Sequence, residues 1–443
     1  MASGYLKHVF KRSAGKGRGM SSGGMTVLLL GSGGREHALA WKMAQSPLVA
    51  KIHVLPGNPG MTTNDGRIVC IEGKIDDIVR ELKPGLIVVG PEKPMAEGVV
   101  DRLETAGFTV LGASKAASQL ESSKIFSKEF MLENGIPTAH AVTCDSYDDA
   151  VAAVKTWDIE GKGIVIKADG LAAGKGVVVT QDPTEAEKTL HDFMIDTRHP
   201  VKAKRVLLEE MLLGREVSAF ALCDGERFIP FGYICDHKRV FDGNQGPNTG
   251  GMGAFFPKDW PSDAALTFIN EKIFSATLRG MNARGTPFKG ILFAGLMVDG
   301  DDVKVIEFNV RLGDPETQAL LPLIETDIVP LFLAAAQGDL SACGAPQISN
   351  ETAVHVVMAS AGYPGTEMRL GEKITLTPNT NDNTQVFFAG VKEKDGNFIN
   401  SGGRVLGVTA RGATLAAARE KAYAGISNIF FNGAHWRRDI GGQ

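Results

Sequence analysis

The stretch Gly163–Val179, GIVIKADGLAAGKGVVV, limits what this chain can become more than any other. Two apolar runs, Ile164–Lys167 and Val177–Val179, are separated by a loop of small residues carrying Gly170, Gly174, Lys175 and Gly176. Apolar runs bracketed by glycine-rich turns predict two strands joined as a hairpin. With little side-chain bulk, such a loop lets its backbone N–H groups approach a polyanion closely. Lys167 on the strand and Lys175 in the loop add two point charges suited to phosphate oxygens. The spacing is not that of a Gly-x4-Gly-Lys-Ser/Thr loop opening a helix, so it is not an ordinary P-loop. Read alone, the stretch fits a solvated hairpin equally well, and its neighbours must decide.

A chain of 443 residues is too long for one core and suggests three domains at ~100–200 residues each. Its 53 glycines cluster in short loops between apolar strands, a habit of nucleotide-handling α/β proteins. The net charge of −4 gives no reason to expect nucleic acid as a partner. Five scattered cysteines, with no Cys-x-x-Cys pair, read as reduced core residues of an intracellular protein and not as a disulfide frame or zinc site. No apolar run reaches the ~18 residues of a membrane span, so no membrane is expected as a partner. Residues 1–24 are basic, rich in Ser and Gly and free of acids, the first acid being Glu36. They form a disordered leader, a cloning remnant, translation upstream of a start at Met20 or Met25, or an organelle transit peptide. The expected location is cytoplasmic, or organellar if the leader is a transit peptide.

From residue 25 the chain reads as a doubly wound domain. The buried strand Thr26–Leu30 meets the turn Gly31-Ser32-Gly33-Gly34 and a helical run, Ala38–Ala44. The glycines run G-x-G-G, and the second strand, Lys51–Leu55, ends in Pro56-Gly57-Asn58-Pro59-Gly60 without an acid for a ribose hydroxyl. This argues against NAD and for one phosphate of a substrate at the helix N-terminus. A third strand, Leu86–Val89, ends in Gly90-Pro91-Glu92-Lys93-Pro94, where a binding loop should sit.

Lys124 opens a helix whose N-terminal dipole disfavours it, which points to an anionic partner. Val206–Ser218 reads as a strand meeting Glu209 and Glu210 before a bend, with Glu216 beyond as an acceptor for ribose hydroxyls. Asp236–Arg239 leads into Gly246–Ala254, too rich in glycine for a regular element and long and polar enough to be functional. Strands at Gly290–Val298 and Lys304–Phe308 follow. Residues two apart on a strand share a face, so Glu307 and Asn309 form an oxygen pair of the kind Mg²⁺ prefers when phosphates complete its shell. Arg311 on the same side offers a fork for phosphate or carboxylate. Beyond Gly338, strands at Ala353–Ala359, Lys373–Leu376, Gln385–Ala389 and Arg404–Ala410 and a helix at Thr414–Ile426 suggest a mainly β domain, with a surface turn at Asn379–Asn383.

Taken together, GSGGREHALAWK, PGNPG, GPEKP, SKIFSKEF, VIKADGLAAGKGV, GPNTGGMGA, VIEFNVRLGDPETQ and SGGRVLGVTA resemble the ATP-grasp enzymes, and among them the glycinamide ribonucleotide synthetase (phosphoribosylamine–glycine ligase) family. The resemblance runs from about Met25 to Gly441. It implies an α/β and α+β architecture. Residues 25–122 would form the N-terminal doubly wound (pre-ATP-grasp) substrate domain, and 123–340 a two-lobed ATP-grasp domain with its small lid lobe at about 142–212. Residues 341–443 would form the C-terminal, mainly β domain.

For the nucleotide, the resemblance implies Lys124 and Lys167 on the phosphates, Gly170, Gly174, Lys175 and Gly176 in the closing flap, Glu209, Glu210 and Leu212 around adenine, and Glu216 on the ribose. Glu307 and Asn309 would hold Mg²⁺ or Mn²⁺. Many ATP-grasp enzymes carry another acid on the preceding strand, where Phe293, Ala294 and Gly295 offer none, so the number of metal ions stays open. Phosphoribosylamine would lie against Gly33, Gly34, Asn58 and Glu92, the loop Asn248, Thr249, Gly250, Gly251, Met252 and Gly253, and Asp314. Lys167 and Arg311 would be catalytic. The implied partners are small molecules (ATP, glycine and 5-phosphoribosylamine), and the implied state is a monomer or weak homodimer. Glycine would be activated as glycyl phosphate in purine biosynthesis. No Ser/His/Asp or Cys/His set is present, and this chemistry needs no side-chain nucleophile.

Overall fold

The computed structural model describes residues 24–442 except 173–174, 259 and 378–383, so the leader, Gly174 and the turn at 379–383 lie outside the described residues. The first sheet has five parallel strands in the order Ile68–Cys70, Val49–Pro56, Met25–Gly31, Leu86–Val89, Val110–Leu111. Its central strands are buried on both faces, which is why they read as unbroken apolar runs. The strand order reverses beside Met25–Gly31, so the turns after Gly31 and Val89 flank a crevice at the strands' carboxyl ends. The helix after the first turn spans Gly34–Met43, and Glu36 caps it by accepting from Gly33 N at 2.7 Å.

The glycine hairpin forms as read. Ile164–Ala168 and Val177–Thr180 pair antiparallel within a four-stranded sheet that also contains Val206–Glu210 and Ala141–Cys144. The helices Tyr147–Lys155 and Pro183–Met194 cover this sheet, which has a hydrophobic core of its own around Ile164, Ile166, Leu190 and Phe193. The segment expected as one strand with a bend is two strands in different sheets. Val206–Glu210 belongs to this lobe and Arg215–Asp224 to the next. Gly214, at φ 137°, makes the break in a conformation that residues with a side chain rarely adopt.

The third large sheet is antiparallel and eight-stranded. Its order is Asp302–Asn309, Lys289–Asp299, Arg215–Asp224, Phe228–Asp236, Gly253–Phe255, Thr352–Ala359, Arg404–Gly412, Thr384–Phe388. The strands beyond residue 350 therefore continue the sheet that carries Glu307 and Asn309. The helix Leu415–Ile426 and the hairpin Val391–Lys394 with Asn397–Asn400 complete the C-terminal part.

The segment 236–254 corrects the expectation of an irregular loop. Arg239–Phe241 pairs with Gln245–Asn248, turning through Gly243 and Asn244 at positive φ, and Gly253–Phe255 is a strand of the large sheet. One partner of that strand lies about a hundred residues downstream, so its neighbours in sequence gave no sign of it. All five cysteines are free, but only Cys144, Cys223 and Cys235 are core residues, Cys70 and Cys343 being half-buried; among the described residues no helix is long and apolar enough to cross a membrane.

Three buried histidines tie stability to pH. Burial depresses His37 and His237 to about 4 and His355 to about 3. His37 Nδ1 accepts from Phe388 N at 2.9 Å, which requires the neutral ring. The unfolded chain therefore binds more protons than the folded one between about pH 6.5 and 4. Stability is present above this window and lost as pH falls through it, by roughly 1.4 kcal/mol per pH unit for each histidine. Asp236, pushed up to about 6 by burial, opposes this trend over its own range. The thermal midpoint should fall steadily from pH 6.5 to 4, and a flat profile would contradict the neutral assignment.

Candidate active site

A cavity of about 340 Å³ lies where the hairpin lobe, the parallel sheet and the eight-stranded sheet meet. Its floor comes from the helix Lys124–Glu133, capped by Ser123 Oγ accepting from Phe126 N at 3.1 Å. Lys124 Nζ donates to Gly170 O of the glycine loop at 2.7 Å. Lys128, one turn later on the same face, stands 2.8 Å from Glu209 Oε1. Lys167 Nζ stands 2.5 Å from Glu209 Oε2 and donates to Ile306 O at 2.8 Å. Glu209 thus bridges two buried lysines, while Glu210, the next residue on the strand, turns outward and accepts from His140 N at 3.0 Å.

Opposite these lysines stands Glu307, with Gly295 directly across the strand pair. Burial works to raise the Glu307 carboxyl, but Lys238, Lys167 and Lys124 outweigh it and hold it below the usual glutamate range. Asn309 Nδ2 faces Glu307 Oε1 at 3.4 Å, and its Oδ1 accepts from Arg311 at 2.9 Å. The two side chains meet as read, but in this structure the amide oxygen is turned to Arg311, not outward beside the carboxylate. Arg311 also reaches Glu121 at 2.8 Å and Glu92 at 3.3 Å, so its fork is held by acids. Burial would lower the Arg311 guanidinium, yet Glu121 and Glu92 raise it above the usual arginine range.

Glu216 accepts from Lys238 Nζ. Burial would lower the Lys238 ammonium, but Asp236, Glu216 and Glu307 keep it well above the usual lysine range. An adjoining pocket of about 210 Å³, lined by Val165, Val179, Met211, Leu212, Asn248 and Met297, opens between the hairpin lobe and the large sheet. Its mix of apolar walls and strand-end backbone suits a flat heterocycle. Lys175 is exposed, and Gly176 lines the main cavity.

On the other side, a cavity of about 710 Å³ lies over the strand ends of the parallel sheet, with Gly33, Arg35, Pro91 and Asp314 in its wall. Asp314 Oδ2 accepts from Arg35 N at 3.3 Å and its Oδ1 from Gln318 at 2.8 Å, which closes the turn Gly33-Gly34 against the large sheet. Burial opposes ionisation of Asp314, but Arg404 and Arg35 pull it down to about 2. Arg404 also donates to the carbonyls of Gly250 at 2.6 Å and Asp314 at 2.5 Å, pinning the loop 249–251.

Two expected contacts look elsewhere. Asn58 spends its amide on Ser32 O, Phe388 O and Gly60 N. Met252 is fully buried beside Val240 and Ala359. Within the loop 248–253, Thr249 and Gly250 line the main cavity, while Gly251 and Gly253 serve through backbone.

Sequence reading did not single out Lys128, Lys238, Asp236, Glu121, Glu316 or Arg404 as site residues. Lys128 could have been found from its spacing of four from Lys124. Glu121 and Glu316 lie within three residues of Lys124 and Asp314 in the sequence, whereas Asp236, Lys238 and Arg404 become neighbours of the site through the sheet order.

A hairpin lobe closing over a lysine-lined cleft, with Glu307 and Asn309 on the facing sheet, is the architecture of an ATP-grasp enzyme. Family models agree: "Phosphoribosylglycinamide synthetase, N domain" matches residues 25–121, the ATP-grasp (A) domain 122–317 and the C domain 353–443. The chain belongs to the phosphoribosylglycinamide synthetase family. It is 42% identical over 429 residues to a phosphoribosylamine–glycine ligase of Caulobacter vibrioides, covering 94% of this chain and 98% of the relative. The crystal structure of the phosphoribosylamine–glycine ligase of Thermotoga maritima superposes with a TM-score of 0.82 at 34% identity, covering 94% of this chain and 99% of that one. A biotin carboxylase domain of Hydrogenobacter thermophilus 2-oxoglutarate carboxylase, solved with MgADP, shares the fold alone, at TM-score 0.67 and 15% identity over 94% and 92% of the two chains.

Proposed function

We infer that this chain joins glycine to 5-phosphoribosylamine at the expense of ATP, giving glycinamide ribonucleotide, ADP and phosphate. The observation that carries the reading is the family match across both substrate-facing parts of the chain, with the two cavities meeting at Arg35 and Asp314. A glycine carboxylate oxygen attacks the γ-phosphorus of ATP, the bond to the β,γ-bridging oxygen breaks, and glycyl phosphate and ADP result. The amine of phosphoribosylamine then attacks the acyl carbon, phosphate leaves, and the amine loses a proton.

The chain's own part is positioning and charge. Lys124 and Lys167 neutralise the phosphates, and the backbone of the described loop residues Gly170, Leu171, Lys175 and Gly176 covers them. Leu212 and its neighbours hold the adenine, with Glu210 beside them, while Glu216 meets the ribose. Glu209 keeps Lys167 and Lys128 extended toward the cleft. Arg311 leaves its acids for the reacting carboxylate or phosphate. The turn Gly33-Gly34, Glu92, Thr249 and Asp314 receive the phosphoribosylamine. Closure of the hairpin lobe keeps water from the acyl phosphate.

The residues fit a hard divalent ion: an ionised Glu307 beside the Asn309 amide offers two oxygen ligands, of the kind Mg²⁺ takes when phosphates and water complete its shell. Mg²⁺ or Mn²⁺ bound there by Glu307 and Asn309 would neutralise phosphate charge. Asn309 would turn its oxygen from Arg311 to take part.

The test is ADP release with freshly made 5-phosphoribosylamine, ATP and Mg²⁺, with glycine replaced in turn by alanine and bicarbonate. Turnover that needs both glycine and the amine is expected. Turnover with bicarbonate and not glycine would overturn the reading.

A further inference from the structure

The C-terminal segment 435–440 carries an ion pair that the reaction as described leaves unused. Arg437 is fully buried, and its Nε and Nη2 donate to the two oxygens of Asp439 at 2.7 and 2.6 Å. Burial opposes ionisation of Asp439, but hydrogen bonds from Arg437 and from Gly243 N pull its carboxyl down to about 2. Such a pair adds little net stability over apolar residues of similar volume, so its place is better read from what it holds. Arg437 Nη1 donates to Arg239 O at 3.1 Å and to Asn244 Oδ1 at 2.8 Å. Asp439 Oδ2 accepts from Gly243 N at 2.8 Å, Asp242 Oδ1 accepts from Arg438 N at 2.7 Å, and His435 Nε2 donates to Val240 O at 2.9 Å.

Every one of these contacts grips the hairpin 239–248. Its strands pair in a two-stranded sheet of their own, and its tip, residues 241–247, is exposed. Its base enters the cleft. Lys238 lines both the main cavity and the adjoining pocket and donates to Glu216, while Asn248 and Thr249 line the pocket beside it. Thr249 closes the base by donating from N and from Oγ1 to Lys238 O, each at 2.8 Å. The end of the chain therefore holds the hairpin at one side, and the hairpin sets a cation of the pocket at the other. We propose that Arg437, paired with Asp439, is a positioning residue for the nucleotide: by fixing the hairpin it holds Lys238 against Glu216, and so keeps Glu216 placed for the ribose. This rests on the reading of the adjoining pocket and Glu216 as the nucleotide's side of the site.

Titration calorimetry of the full chain with ATP and with 2′-deoxyATP, both with Mg²⁺ and without glycine, is the test. The wild type should bind ATP about 10–100-fold more tightly than 2′-deoxyATP, the size of a hydrogen bond to a carboxylate. Asp439→Asn keeps the shape and breaks the paired hydrogen bonds, and should bring that ratio below about threefold. Asn244→Gly removes one partner of Arg437 on the exposed tip and keeps the turn, since Asn244 sits at φ 56°, where glycine is at ease. It should narrow the ratio by at least about twofold, a result that stands even if Asp439→Asn fails to fold. A purely structural clamp would lower the melting midpoint and weaken both nucleotides alike. An unchanged ratio in folded Asn244→Gly, or a wild type that binds the two nucleotides equally, would therefore overturn the proposal. A wild type that keeps the ratio but shows no glycine-dependent ADP release would sink the ligase reading and leave this one standing.

Discussion

Replacing Lys167 with methionine is expected to cut glycine-dependent ADP release by roughly a hundredfold to a thousandfold while leaving a folded protein. The rate argument is that a preorganised cation facing the transferring phosphoryl group acts in a cavity shielded from water, where such groups give about 10²–10³ in rate each. Glu209 stands 2.5 Å from Lys167 Nζ and holds that cation in the cavity, where on the proposed assignment the phosphate would lose it. The stability argument runs the other way. Glu209 keeps Lys128 at 2.8 Å, so the buried carboxylate is not stranded. The cost should stay near about 1–3 kcal/mol. Methionine fills nearly the same volume along the stem. Near-normal turnover in Lys167→Met would refute the phosphate assignment, and a collapsed melting transition would show that the lysine is chiefly structural.

Glu307→Gln should have the second large effect, at least roughly a hundredfold on kcat/KM together with weaker binding of the metal–nucleotide complex. The substitution keeps shape and removes charge. Three lysines hold this carboxyl below the usual glutamate range against burial, so the glutamine leaves Lys238, Lys167 and Lys124 less compensated. Lys124 is already lowered, chiefly by burial, with Glu307 the first of the groups that raise it. The variant should therefore gain affinity for free phosphate or ADP without metal while losing it with metal present. Titration calorimetry with and without Mg²⁺ reads both arms. Equal metal dependence in the two proteins would remove Glu307 from the metal site.

Much of this was legible because the informative patterns are local. The hairpin around Lys167 follows from two apolar runs and small residues between them, and it forms at the expected positions. Glu307 and Asn309 share a face because a strand alternates, and their side chains touch. The parallel sheet is visible in runs such as Leu86–Val89, buried on both sides. The strand Gly253–Phe255 was not legible: glycines suggested an irregular loop, and pairing with Thr352–Ala359 outweighed that local preference. Asn58 was misjudged because a polar residue in a glycine turn looks free for a ligand until Phe388, from a distant strand, takes its donor.

The sequence alone determined that Lys167 sits on a hairpin strand and that Glu307 and Asn309 share one strand face, since helix and strand periodicities act over a few residues. Tertiary structure alone decided how the charges are shared. Glu209 bridges Lys128 and Lys167, Arg311 is held by Glu92 and Glu121, Lys238 faces Glu216, and Asp236 Oδ1 is left without a hydrogen bond, 4.0 Å from Lys238. The physical reason is range: burial and Coulomb interaction depend on distance through space in a low-dielectric cavity, and sheet order, not sequence order, sets those distances.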